Sequence, residues 1–211
     1  MFYKEENDNV LRFGDVLKGY VLTTPNIVEP IFTTLNTGYN IEIDLPFFSV
    51  VITPCCSIGQ KTISLTPLIK LRNAFFKNPY LSEDFTRINR VMEPQQSVAP
   101  DTWNKFPTEV KQRRLEEGNA YAFLELFVYE KNDLFPKYSI YINKQKNIET
   151  NYYMINFKNI YKLNCEKINT PKDAPIDSKC LQLSNQVRNE LRDKISYYYA
   201  RVPQEDKILE D

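Results

Sequence analysis

The stretch FFSVVITPCCSIGQKTISLTPLIKL, residues 47–71, constrains the fold more than any other part of the chain. Its first seven residues are predominantly apolar, with only Ser49 and Thr53 polar, and rich in β-branched side chains, and Pro54 stops the run because proline cannot donate to a ladder. A run this apolar predicts a central strand covered on both faces. Cys55, Cys56, Ser57, Ile58 and Gly59 then read as a turn, and residues 62–69 as a second strand. The rest of the chain is expected to hang on this strand, turn and strand.

Upstream, residues 13–22 (FGDVLKGYVL) predict a first strand, entered at Gly14-Asp15 and bent or bulged at Gly19. Residues 23–37, with Pro25 and Pro30, read as a loop. In residues 39–45, Ile41, Ile43 and Leu45 alternate with Asn40, Glu42 and Asp44, which predicts one buried and one wet face. Between residues 71 and 118 the pattern turns helical. Ser82 is a candidate cap ahead of Phe85, Ile88, Val91 and Met92, and Thr108 a candidate cap of a short helix stopped at Gly118. Strand signals return at 120–129, 138–142 and 152–163, followed by a loop over 164–178 and a last short strand near Cys180. From Ser184, Val187, Leu191, Ile195 and Tyr198 form an apolar helical stripe, with Arg188, Glu190, Arg192, Asp193 and Lys194 mainly off it.

These signals predict a β-rich α+β chain of one domain over its 211 residues. The expected plan is a small Src-homology-type barrel from residues 10–70 and 120–183, a helical insertion at 71–118, and a C-terminal helix at 184–202. Hydrophobic residues make up 42% of the chain, enough for a sizeable core. No apolar run reaches the length of a membrane span, and residues 1–9 lack the pattern of a secretory signal. Four cysteines without CxxC spacing point to reduced thiols in a cytoplasm.

Histidine is absent, and that narrows the chemistry. Ser-His-Asp triads, Cys-His nucleophiles and His-based zinc sites are excluded together. Only five glycines are present and no GxGxxG or Walker-type loop, so no nucleotide cofactor is expected. A four-cysteine metal site from Cys55, Cys56, Cys165 and Cys180 is disfavoured by the adjacency of the first pair, and no metal is expected. Lys+Arg and Asp+Glu are both 27, so bulk charge drives no nucleic-acid binding.

Three sets of residues remain. Tyr197, Tyr198 and Tyr199 cannot all face one core from one helix, and beside Arg201 they have the composition of a protein-binding hot spot. Trp103, Lys105, Lys111, Arg113 and Arg114 combine an aromatic with a basic run, the means of gripping single-stranded nucleic acid. Cys55 at a strand end, with Lys61 as the local cation, is a candidate nucleophile. Glu125, in AFLELFV, is expected to face outward because Leu124 and Leu126 take the opposite face.

The order Gly14-Asp15-Val16, then Val50-Val51-Ile52-Thr53, then residues 63–69 resembles the small barrel of MazF/PemK-type proteins. The Arg-Pro that precedes the central strand in those toxins is replaced here by Pro46-Phe47-Phe48. The resemblance implies a bacterial protein of toxin–antitoxin or antiviral-defence type. Zero net charge, the missing catalytic apparatus and the aromatic-rich C-terminal helix point to a non-catalytic accessory subunit of a larger complex. A metal-independent ribonuclease using Asp15, Thr53, Cys55 and Lys61, and a nucleic-acid-binding subunit, are the alternatives.

Overall fold

The computed structural model describes residues 1–19, 22–26, 40–58, 62–77, 79–91, 100–117, 123–143, 146–164 and 178–200. In chain order its first strands are β1 (Val16–Lys18), β2 (Leu22–Asn26), β3 (Asn40–Asp44), β4 (Phe48–Val51), β5 (Thr62–Pro67) and β6 (Ile69–Lys70). Three helices follow, α1 (Pro79–Ser82), α2 (Pro100–Lys105) and α3 (Thr108–Glu116). Then come β7 (Leu126–Tyr129), β8 (Tyr138–Asn143), β9 (Lys146–Thr150), β10 (Tyr153–Asn156), β11 (Tyr161–Asn164), β12 (Lys179–Leu181) and α4 (Asn185–Tyr199). The protein is β-rich, with several antiparallel sheets accompanied by helices.

The chain divides into two compact units, Met1–Ile69 with Lys158–Asn185, and Lys70–Phe157 with Gln186–Asp211. The first unit holds a five-stranded antiparallel sheet of order β11-β5-β4-β1-β12. As its sequence demands, β4 lies in the middle with all four residues buried. Leu11, Leu17, Leu22, Val51, Ile63 and Leu65 pack together against one face, joined by Ile58, Tyr161 and Leu163. Each such side chain contributes about 1.5–3 kcal/mol by leaving water. Gly19, at the predicted bend, adopts φ +66, a left-handed conformation that favours glycine, and its N–H bonds the Phe47 carbonyl at 3.0 Å. The sheet ends in β11 on one side and β12 on the other, so among the described residues it does not close into the expected barrel.

In the second unit β7 and β10 pair antiparallel, with the short β6, where the chain enters the unit, along the other edge of β10. All four residues of β7 are buried, as are Phe75, Phe85, Phe135, Met154 and Phe157. Phe75 meets Phe123, and Phe135 meets Tyr153, at ring-centroid distances of 4.4 and 5.2 Å. The segment expected as a helical insertion joins this core, with Phe85 edge-on to Tyr152 at 5.1 Å just before β10. Asn89 fastens it to β7: its side-chain amide donates to the Val128 carbonyl at 2.7 Å and accepts the Val128 N–H at 2.6 Å.

Several boundaries differ from the sequence expectation. Asp84, not Ser82, caps the 3-10 turn Phe85–Asn89, accepting the Thr86 N–H at 2.9 Å. Pro107 precedes α3, so Thr108 is its first residue and not its cap. The single strand expected over 152–163 is two strands, β10 in the second unit and β11 in the first. Among its described residues, 123–129, the expected 120–129 strand is confined to β7, with Glu125 in the turn before it, where its carbonyl accepts the Phe157 N–H at 2.8 Å.

Candidate functional site

In the first unit the polar groups converge on one lysine. Lys179, on β12, has a side chain only 3% exposed, and its Nζ meets five oxygens. They are Asp15 Oδ2 at 2.9 Å, Gln182 Oε1 at 2.9 Å, Val10 O at 2.8 Å, and Asp8 O and Oδ1 at 3.1 and 3.2 Å. Asp15 is fully buried and also accepts the Arg12 N–H at 2.8 Å. Burial works to raise the Asp8 carboxyl, but hydrogen bonds from Gln182, Lys179 and Arg12 hold it well below the usual range. A buried ammonium surrounded by carbonyls and carboxylates does the work of a bound cation. It ties residues 8–15 to β12.

Gly14 and Asp15 also bracket the end of β4: the Gly14 N–H bonds Val51 O at 2.8 Å, and the Val51 N–H bonds Asp15 O at 3.0 Å. The structure therefore brings the Asp15 backbone and the cysteine turn to one end of β1 and β4. Their functional groups diverge, however. The Asp15 carboxylate engages Lys179, the Thr53 hydroxyl accepts the Ser64 N–H at 2.6 Å, and Cys55 Sγ accepts the Phe13 N–H at 3.4 Å. Cys55 and Cys56 are both exposed. The Cys180 thiol, which donates to Val16 O at 3.2 Å, is pushed up to about 11 by burial. Lys61 and Cys165 lie outside the described residues.

The second unit carries a buried amine that the sequence reading misplaced. Lys194 is 2% exposed, on the inner face of α4 beside Leu191 and Ile195, and donates a short hydrogen bond to the Ile88 carbonyl. Burial pushes its conjugate acid down to about 7, against a pull upward from the Glu125 charge. Among the described residues no carboxylate oxygen lies within ion-pair distance of it. Lys194 stands seven residues after Val187, two helical turns along the same stripe, so spacing alone identifies it once its charge is set aside. Nearby, a cleft of about 380 Å³ is lined by Thr86, Asn89, Arg90, Val91, Glu190 and Asp193. Most of its polar groups are already engaged: Asn89 by Val128, Thr86 by Asp84, Glu190 by Gln186 and Asp193 by Arg192.

The tyrosines of α4 behave unequally. Tyr197 and Tyr198 are half-buried, Tyr198 against Phe157, while Tyr199 is exposed yet donates its hydroxyl to the Phe157 carbonyl at 2.7 Å. Arg201 lies outside the described residues. Trp103 is buried and meets Phe106 edge-on, and the Arg114 guanidinium lies over the Phe106 ring at 5.3 Å. Lys111 reaches back to the Asn104 carbonyl at 3.2 Å, leaving Lys105 and Arg113 as exposed cations of that run. Trp103 is thus a core residue of its segment and presents no open face for a base to stack on.

One surface was not anticipated. Ile43, Leu45 and Phe47 are 64%, 71% and 58% exposed, at alternate positions on β3 and the segment leading into β4. The alternation of residues 39–45 had predicted a buried apolar face there. Among the described residues β3 pairs only with β2, in a two-stranded sheet, and these side chains stay in water. Lys18 Nζ lies 5.7 Å from the Phe47 ring centroid. Among the described residues no group of acidic, cysteine or histidine side chains could hold a metal ion, and no helix is long and apolar enough to cross a membrane. Comparison of the chain with family models, with curated proteins and with solved structures yields no match in any of the three.

Proposed function

We propose that this chain is a non-catalytic protein-interaction module, an accessory subunit of a larger assembly, and that Ile43, Leu45 and Phe47 form its contact surface. The carrying observation is the exposure of three large apolar side chains at alternate positions of β3 and the segment just after it. Scattered apolar residues on a surface need no explanation, but a run of this kind marks an interaction site. Burying the surface these three side chains still expose would contribute about 3–6 kcal/mol, against the roughly 8 kcal/mol of a micromolar contact, so main-chain strand pairing must supply part of the affinity.

The competing chemistries have less to stand on. Ribonuclease action by Asp15 and Thr53 would need groups that are committed to Lys179 and to the Ser64 amide. Nucleic-acid stacking on Trp103 would need an exposed ring. A bacterial, cytoplasmic setting of toxin–antitoxin or defence type rests on the resemblance of residues 13–71 to MazF/PemK-type barrels.

The test is native purification of the tagged chain beside a Leu45→Asp/Phe47→Asp variant. A stoichiometric protein recovered with the parent and lost from the variant, at unchanged circular dichroism, supports the reading. A partner retained by the variant moves the contact elsewhere. Recovery of RNA alone, cleaved in a Cys55-dependent manner, would replace the reading with an enzymatic one.

A further inference from the structure

The same hairpin says something about what it binds. β3 runs Asn40–Asp44 and pairs along its whole length with β2, from Leu22 opposite Asp44 to Asn26 opposite Asn40. Among the described residues no strand pairs with its other edge. In an antiparallel pair alternate residues direct their N–H and C=O groups away from the partner, so that edge is a template for one more strand. Glu42 and Asp44 are exposed on it, and residues 40–47 contain no lysine or arginine. β2, Leu-Thr-Thr-Pro-Asn, carries no charge. The free edge therefore carries two acidic residues, Glu42 and Asp44, with Ile43 between them.

From this geometry we infer that the partner supplies an extended strand with lysine or arginine at alternate positions and apolar residues between, which adds to the free edge of β3. The inference rests on the interaction-module reading and names the chemistry of its partner. A second copy of the chain is disfavoured by charge. Antiparallel pairing of β3 with itself sets Glu42 opposite Glu42 in one register and opposite Asp44 in another, and like charges directly opposed destabilise a strand pair. A basic strand meets Glu42 and Asp44 with complementary charge, while main-chain hydrogen bonds supply affinity and alternate side chains supply selectivity. Leu45 and Phe47, just beyond β3, extend the apolar contact past the acidic pair.

The full-length protein would be titrated with three blocked heptapeptides. The first alternates lysine and valine, the second glutamate and valine, and the third is the lysine peptide N-methylated at every backbone amide. The lysine peptide is expected to bind about tenfold tighter than the glutamate peptide, and the N-methylated one to lose binding because it cannot extend the sheet. Glu42→Lys/Asp44→Lys should reverse the preference, since both sites are exposed and the fold is retained. Equal binding of all three peptides, or a preference unmoved by the charge swap, overturns the inference. So does a homodimer in analytical ultracentrifugation that Leu45→Asp dissolves, because the occupant is then a second copy. If a native partner is lost from Leu45→Asp/Phe47→Asp yet indifferent to the charge swap, the module reading survives and the basic-strand inference fails. If that partner ignores both variants, the contact surface itself is wrong.

Discussion

Lys194 makes stability pH-dependent in a direction opposite to that of a paired surface lysine. Its amine is 2% exposed, bonded to the Ile88 carbonyl, and its conjugate acid is pushed from 10.5 down to about 7, mainly by burial. Between pH 7 and 10.5 the unfolded chain binds a proton at this residue that the folded chain does not. Stability is therefore penalised below pH 7 and recovers as pH rises through that window, by at most about 1.4 kcal/mol per pH unit. From pH 7 to 9 the recovery amounts to about 2 kcal/mol. Lys194→Met keeps an unbranched side chain of similar reach and removes the titration. It also strips the Ile88 carbonyl of its donor, a loss of about 1–3 kcal/mol that does not vary with pH. Urea unfolding followed by Trp103, the single tryptophan and a buried reporter of the second unit, reads both proteins at pH 7, 8 and 9. Tyrosine and cysteine titrations are common to both and cancel in the difference. The parent should gain about 2 kcal/mol on the variant across that range. Parallel stability curves, separated by a constant, would refute the reasoning.

Lys179→Met leaves the buried Asp15 carboxylate without its ammonium and should lower stability by about 3–5 kcal/mol in urea, with Asp15→Asn in the same chain restoring part of the loss. Asn89→Ala removes two buried hydrogen bonds to Val128 and should cost about 2–4 kcal/mol, read as an earlier Trp103 transition. A maleimide at pH 8 should label Cys55 and Cys56 rapidly and Cys180 only on unfolding, since at a value of about 11 roughly one Cys180 thiol in a thousand is ionised; peptide mapping by mass spectrometry tells them apart. Leu45→Asp should leave stability within about 0.5 kcal/mol of the parent, because its side chain is already in water, and a larger loss would show that the hairpin is covered.

Local patterns carried part of this fold into view, and only part. The run at 48–51, ending in Val50 and Val51, identifies a central strand because burial on both faces leaves no room for alternation. The stripe of Val187, Leu191 and Ile195 identifies α4 for the same kind of reason, and with Lys194 admitted it is complete. The Lys179 cage was invisible because its partners lie at 8–15 and 182, some of them more than 160 residues distant, and no spacing rule links them. The sheet's failure to close was equally hidden, since each strand's pattern reports its two faces and says nothing about its neighbours. Alternation at 39–45 misled in the same way. It shows that Ile43 and Glu42 point to opposite sides, and leaves open whether anything lies against either side. At 152–163 the apolar character runs through a turn at Phe157-Lys158, where the chain leaves one unit for the other.

The Lys179 cage also sets a timetable for synthesis. Val16 pairs with Leu181, and the Cys180 and Gln182 side chains reach groups 164 and 174 residues earlier. At about 5–20 residues per second, β1 emerges roughly 10–30 s before the strand that completes its edge. Throughout that wait the outer side of β1 is an unprotected template, and the Asp15 carboxylate has no lysine to receive it. The second unit's own strands, β7 to β10, are translated inside that interval and are the nearest competitors for the open edge. A nascent chain stalled before residue 179 should therefore lean on a holding chaperone far more than one stalled after residue 183, which ribosome profiling of chaperone-bound chains would register as a sharp release.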